Sequence, residues 1–433
     1  MAFVSTSSST RAVSTPSKSS RFASTTSAEN LTQTLTEKRA GRWRARFLFD
    51  GERWCEDALL EVDASGVVVE IGSGSGSADD HAEVLIPGLV NAHSHLDLEA
   101  IEGAPRAEFT AWLRAVIAQR RTSDAGQRTL IERNLSAAIA TGTLAFGDID
   151  GTGATAEAML VAGVAGRAYR EVLGLAVDET RAEALVGEAR GGRAVEVDGL
   201  SPHAPYSVSP ALLRAAVRSN ARLAIHLAET EEEVRFLRDG TGPLASLLAD
   251  LGVLPDGWAP PRCSPVAWAR AQGALGPRVL LVHLQHPCSG DLDLVASSGS
   301  PVVVCPGTVR WFDRGVPPVE ELCRRGVCVC LGTDSVASNE GGLDMMAEMA
   351  SLRRLCPSLL PTAVLTMATA RGGEALGLPV GRIMVGCRLD ALAFDDVPAG
   401  TTEGATDWLT AAAPSPDRLV TGGNPCSPNV PTL

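Results

Sequence analysis

From Val84 to about Asp334 the sequence repeats one pattern eight times: a short apolar run with strand character, then a stretch with helical spacing. Strand–helix alternation of this kind specifies parallel pairing, because each helix carries the chain back to the start of the next strand. The apolar runs are VLIPGLVNAH, TLAFGDID, RAYREVLGL, VDGLSPH, RLAIHLAE, RVLLVHL, PVVVCPG and VCVCLGTD. Helix-like stretches such as AEFTAWLRAVIAQR, SPALLRAAVRSN and LDMMAEMASLRRL lie between or after them. Eight such units in about 290 residues is the count that closes a (β/α)8 TIM-type barrel, an α/β fold. The stretch from Glu231 to Gln272 is longer than one crossover needs and predicts an inserted lid or subdomain after the fifth strand.

The flanks read differently. RARFLFDG and ALLEVDASGVVVEIG alternate apolar and polar residues around Gly/Asp turns, which is the signal of antiparallel strands, and GRIMVGCRLDALAFD returns to that character from Gly381 to Asp395. Both chain ends are therefore expected to build one small β-sandwich, from 41–84 and 378–433, beside a barrel of 85–377. Residues 1–40 read as a Ser/Thr-rich tail that cannot bury enough apolar surface to fold. Such a tail resembles an organelle transit peptide in composition, but a flexible extension or a misassigned start is the simpler reading.

Composition narrows the function classes. The net charge of −13 would repel a phosphate backbone, no basic face offsets it, and nucleic acid is not an expected partner. No apolar run approaches the ~20 residues of a membrane span. Ten cysteines show neither a spaced disulfide framework nor a CxxC zinc knuckle, so they read as reduced thiols of a cytoplasmic protein whose partner is a small-molecule substrate, with a homo-oligomer compatible with the composition. Any metal must be held by histidine and carboxylate.

Those residues fall in telling places. NAHSHLD closes the first strand with His93 and His95 two apart, on one side of an extended backbone. His226 and Glu229 end the fifth strand, His283 the sixth and Asp334 the eighth. Strand C-termini of a barrel converge on one mouth, where active sites are built. His93, His95, His226 and Asp334 together offer three nitrogens and one oxygen, suited to zinc or ferrous iron with a position left for water. His81 and His286 lie off the strand ends and read as bystanders.

PGLVNAHSHLDL, SPHAPYSVS, HLAETEEE and LGTDSVASN resemble the motifs of the amidohydrolase superfamily, in the branch that includes S-adenosylhomocysteine, guanine and aminofutalosine deaminases and the triazine chlorohydrolases. That resemblance implies His93, His95, His226 and Asp334 as metal ligands, Glu229 as proton shuttle, His283 as the group polarising the attacked centre, and His203 as a substrate contact. Trp112, on the helix after the first strand, is a candidate to stack on a planar ring, or else core. Binuclear members bridge two metals with a carboxylated lysine, but the only lysines are Lys18 and Lys38, so one divalent ion, zinc first and iron second, is expected. Glu171 is the nearest acid that could replace that lysine and reads more simply as a structural or substrate-binding group. The sequence departs from the branch at CPGTVRWF, where Gly307, Thr308 and Val309 replace residues that border the substrate.

These features together predict hydrolytic deamination of a purine, nucleoside-like or aminofutalosine-like compound. Hydrolysis of another C–N or C–Cl bond would use the same site, and a catalytically silent binding protein would have required the loss of a ligand that is present.

Overall fold

A computed structural model describes residues 40–422 except 75, 107, 121–125 and 192–198. The Ser/Thr-rich segment, with Lys18 and Lys38, lies outside the described residues, as does the end of the chain from 423.

The chain opens with β1 (Gly41–Phe49), β2 (Trp54–Val62), β3 (Val68–Ser73) and β4 (Asp80–Pro87). It continues through β5 (Leu89–Ser94), β6 (Thr143–Asp150), β7 (Ala165–Val172), β8 (Gly199–Pro202), β9 (Arg222–Leu227), β10 (Val279–His283), β11 (Val302–Val304) and β12 (Val329–Leu331), and finishes with β13 (Ala391–Phe394) and β14 (Arg418–Val420). β5 to β12 pair in sequential order, each parallel to the next. The ring closes where the amides of Thr333 and Asp334 both donate to the carbonyl of His93, each at 3.0 Å, and Ser94 bridges Asp334. Gly332 permits that closure, since a Cβ there would lie 2.8 Å from the Cβ and carbonyl oxygen of His93. The seam of the barrel is thus also the place where its histidine and aspartate ligand candidates meet.

The strand faces sort the core by the two-residue period. Val90, Ala145, Ile149, Ala224, Leu280, Val282, Val303 and Cys330 fill the barrel interior, while Leu89, Phe146, Leu223, Ile225, Leu281, Val302 and Val329 pack outward against the helices. The nine described cysteines are free thiols.

The run 84–93, read from sequence as one strand, is two. Pro87 ends β4 in the small sheet, and Gly88, whose Cβ would meet Leu144 at 2.7 Å, carries the chain into the barrel. Proline removes a donor, and the adjacent close approach leaves no side-chain space, so the ladder breaks there. The six-stranded sheet from both chain ends runs β14-β13-β4-β1-β2-β3, with β1 and β4 parallel and the other neighbours antiparallel. Of the expected stretch 381–395, only Ala391–Phe394 pairs as a strand, preceded by a single bridge from Arg388 to Val67.

The long segment after β9 forms helices Glu231–Asp239, Pro243–Asp250 and Pro265–Ala271. Leu244, Leu247 and Leu248 from the second of these join Phe109, Trp112 and Val116 of helix Phe109–Arg120 in one apolar cluster, which also holds Tyr206 and Phe312. Among the described residues no helix is long and apolar enough to cross a membrane.

Candidate active site and metal centre

His93 and His95 leave β5, His226 lies in β9, and Asp334 follows β12; all four are buried. His226 Nδ1 sits 3.0 Å from the carbonyl oxygen of His203, so Nδ1 carries the proton and Nε2 presents a lone pair. That Nε2 faces His95 Nε2 at 3.2 Å, and Asp334 Oδ1 lies 3.6 Å from both His93 Nε2 and His95 Nε2. Two donors at ~2.1 Å from one tetrahedral ion stand ~3.4 Å apart, which is the spacing found. Both ring nitrogens of His93 and Nδ1 of His95 are buried with no hydrogen-bond partner. Burial, then the neighbouring His93, holds the His95 imidazolium well below its usual range, and the same two causes lower His226, so a proton is a poor bridge between these nitrogens. Orphaned nitrogens converging on one carboxylate oxygen fit a divalent cation.

The other oxygen of Asp334 is accounted for. Oδ2 accepts from the hydroxyls of Thr308 at 3.1 Å and Ser338 at 3.0 Å, which turns Oδ1 toward the histidines. Burial works against the carboxylate, but the facing imidazoles of His93 and His95 outweigh it and hold Asp334 well below the usual range. Gly307, Thr308 and Val309, where the sequence departs from the branch, do not line the cavity; the Gly307 amide donates to Glu348 at 2.8 Å, and the Thr308 hydroxyl donates to Asp334.

Three site segments leave their strands through left-handed backbone: Ala228 at φ 51°, His283 at 73° and Asp334 at 59°. Non-glycine residues adopt that region at a cost the surrounding structure must meet, and it clusters at functional sites. Here it bends three strand ends so that their side chains converge.

Glu229 follows Ala228 and stays clear of the helix it precedes. Thr230 caps that helix by accepting the Glu233 amide at 3.0 Å, and the Glu233 carboxylate takes the amides of Ala228 at 3.1 Å and Glu229 at 2.8 Å. The Glu229 side chain is free to face the mouth, where Oε1 accepts from Arg314 Nη1 at 3.0 Å and lies 3.9 Å from His283 Nε2. Burial raises Glu229, but His283 and Arg314 outweigh it and leave its pKa lowered. His283 itself is pushed down to about 4 by burial, so its imidazole is neutral near neutral pH.

A cavity of about 430 Å³ joins these groups. His95, His226, Glu229, His283 and Asp334 line it, as do His203, Tyr206 and Trp112. His203 is fixed by a 2.7 Å contact to Ser207, and Trp112 by its indole N–H on the Ala337 carbonyl at 2.9 Å, with its ring also packed among Phe109 and Phe312. Trp112 is therefore both core and cavity wall. Glu171 also lines the cavity, ion-paired to Arg120 at 2.9 Å; Arg120 reaches Asp97 at 3.5 Å. A larger hollow of about 760 Å³, walled by Glu231, Glu232, Arg235 and Arg238, holds none of the strand-end set. His81 is exposed, and His286 lies in that hollow, away from the candidate ligands.

Sequence reasoning missed Arg314, Ser338 and Glu233, and named Thr308 only as a departure from the branch. Ser338 stands in LGTDSVASN and Glu233 in HLAETEEE, so their motifs were visible while their partners were not; nothing local marks Arg314.

The comparisons with known proteins point to one family. A model described as the amidohydrolase family matches residues 84–424. The chain is 30% identical over 371 residues to a 5-methylthioadenosine/S-adenosylhomocysteine deaminase of Halobacterium salinarum, covering 79% of this chain and 80% of that protein. It is 32% identical over 318 residues to an aminodeoxyfutalosine deaminase of Deinococcus radiodurans, covering 67% and 72%. Among solved structures, the Helicobacter pylori aminofutalosine deaminase in complex with methylthio-coformycin superposes with a TM-score of 0.77 at 21% identity, covering 88% of this chain and 99% of that one.

Proposed function

The chain belongs to the amidohydrolase family, and from that premise we propose that it is a metal-dependent aminohydrolase, which replaces the amino group of a purine, nucleoside-like or aminofutalosine-like compound with oxygen from water. The observation that carries this reading is the convergence of His93, His95, His226 and Asp334, the last three lining the same cavity as Glu229 and His283. Relatives at about this level of identity named as deaminases support it.

His93, His95, His226 and Asp334 would hold one divalent ion, and three nitrogens with one oxygen favour zinc. When bound, the ion supplies positive charge that lowers the pKa of water from 15.7 toward about 7. Asp334, held anionic, takes the proton of the attacking water and keeps that water's oxygen aimed at the ring carbon bearing the amine. Glu229, poised as a carboxylate by Arg314, receives that proton from Asp334 and delivers it to the adjacent ring nitrogen, relieving charge as the carbon becomes tetrahedral. The remaining proton, on the water-derived hydroxyl of that carbon, passes through Glu229 to the departing nitrogen; the C–N bond breaks, ammonia leaves, and the hydroxyl oxygen becomes a carbonyl. His283 donates a hydrogen bond to the oxygen on the attacked carbon, and the cavity wall at Trp112 and His203 holds the ring in place.

Ammonia release from a panel of aminated heterocycles, run alongside metal analysis of the same preparation, tests the reading. Release from a purine nucleoside supports it. Chloride or carboxylate release, with no ammonia from any member, would move the chain to the C–Cl or amide alternative.

A further inference from the structure

The three histidines of the candidate metal centre are held in different ways. His226 donates from Nδ1 to the His203 carbonyl at 3.0 Å, and the carbonyl of His93 takes the amides of Thr333 and Asp334 in the barrel seam. His95 has neither device. It stands one residue past the end of β5, its Nδ1 is buried with no hydrogen-bond partner among the described residues, and its own amide reaches the Asp334 carbonyl at 3.3 Å. A histidine that ligates a metal ordinarily has its second ring nitrogen hydrogen-bonded, which fixes the ring. The His95 ring is left to be aimed through its backbone.

Asp148, in β6, supplies that hold. The pairing of β5 with β6 shifts register between Asn91 and Ser94. Past the shift, Oδ1 of the fully buried Asp148 carboxyl accepts both the Ser94 hydroxyl at 2.8 Å and the Leu96 amide at 2.9 Å. The residues on either side of His95 are thus tied to one atom, and a rotation of the backbone at His95 breaks one bond or the other. Asn134 adds bonds from Nδ2 to the carbonyls of Leu96 at 2.9 Å and Leu98 at 3.0 Å. The second oxygen of Asp148, Oδ2, is buried with no hydrogen-bond partner among the described residues. A carboxyl half-satisfied in the interior costs the fold, so stability does not account for it.

We propose that Asp148 is a positioning residue for the metal centre: by tying Ser94 and Leu96 to one oxygen it aims the His95 ring and so sets the affinity of the site for its divalent ion. The inference rests on the reading of His93, His95, His226 and Asp334 as ligands of one ion and adds what aims one of them. Asp148 does not line the catalytic cavity, so its replacement leaves the cavity wall in place. Removing a group that orients a metal ligand weakens metal binding by about 10–100-fold.

The test measures the zinc dissociation constant of the full chain by competition with a chromogenic pyridylazo chelator, below the melting temperature of every protein compared. Asp148→Leu removes the accepting oxygen at similar volume and should weaken zinc by about tenfold or more, whereas Asp148→Asn keeps that oxygen and should stay within about threefold of wild type. Ser94→Ala removes one of the two bonds and should weaken zinc by a smaller factor. Added to Asp148→Leu it should cost nothing further, because the hydroxyl acts only by way of Asp148. A purely structural role would lower the melting temperature of the metal-free protein and leave the zinc affinity of the folded chain alone. Equal zinc affinity in wild type, Ser94→Ala and Asp148→Leu, or a loss in Asp148→Asn as large as in Asp148→Leu, overturns the clamp. Should Asp148→Leu not fold by circular dichroism, Ser94→Ala decides, and an unchanged affinity there overturns it. Wild type that binds neither zinc nor ferrous iron overturns the metal reading itself and the clamp with it.

Discussion

Arg314 Nη1 donates to Glu229 Oε1 at 3.0 Å, and the two side chains are 9% and 7% exposed. The guanidinium also lies 4.4 Å from the centre of the Phe312 ring, which fixes its plane. Burial raises the Glu229 pKa while the facing His283 and the Arg314 guanidinium lower it, so Arg314 would act on the proposed chemistry by way of Glu229 and without lining the cavity.

Replacing Arg314 with Met should therefore cost activity and move its pH dependence. The sign follows from the direction of the shift: Arg314 lowers the Glu229 pKa, so its loss raises it, and the acid limb of kcat/KM should move to higher pH. Breaking a buried pair also costs about 3–5 kcal/mol of stability. A pH–rate profile that keeps its acid limb in place would show that Arg314 is structural only.

The metal reading predicts one zinc or iron per active chain. His226→Ala should lose metal and activity together, and Asp334→Asn should lose activity. Chelation should lower the melting temperature, since a ligand at a thousandfold above its Kd stabilises by about 4 kcal/mol. Elemental analysis finding two tightly held ions per chain would contradict a site made from His93, His95, His226 and Asp334 alone.

Glu348 offers a stability test outside the proposed ligand set. Its carboxyl takes the Gly307 amide at 2.8 Å and the Asn339 amide at 2.5 Å, yet burial pushes its pKa up from 4.5 to about 8. An acid whose folded pKa is raised binds its proton more tightly in the fold, so its contribution is full below about 4.5 and is lost as pH rises through about 8. Glu348→Gln cannot titrate, so the wild-type melting temperature should fall relative to the variant's as pH rises over that window. Parallel curves would mean that Glu348 is ionised throughout.

What the sequence made legible followed from local periodicity. TLAFGDID was read as a strand and Thr143–Asp150 is one, and the four strand-end ligand candidates do meet, because a barrel directs all its strand ends to one mouth. What stayed hidden depends on loop paths. Arg314 lies 85 residues from Glu229, and no spacing rule connects them. The left-handed turns at Ala228, His283 and Asp334 are not legible in the sequence, since alanine does not favour positive φ and the enrichment of histidine and aspartate there is too weak to mark one position, and the break at Pro87–Gly88 is hidden inside a continuous apolar run. The Thr308 hydroxyl lies outside the cavity lining and donates to Asp334, a partner 26 residues away that no local pattern announces.

Glu229→Gln tests the centre of the mechanism. Two roles compete for this residue, a proton shuttle and a helix cap, and they predict different losses. The cap is already supplied by Thr230, which accepts the Glu233 amide, while the Glu229 side chain turns to Arg314 and His283. Glutamine keeps the shape and an oxygen to accept from Arg314, but it cannot exchange a proton. Turnover should therefore fall by the ~10²–10⁴-fold that general acid–base catalysis contributes, while KM changes little. Metal content should match the wild type, because the four candidate ligands are untouched. Near-normal turnover would reject the shuttle role, and loss of metal from the same preparation would make Glu229 a ligand instead.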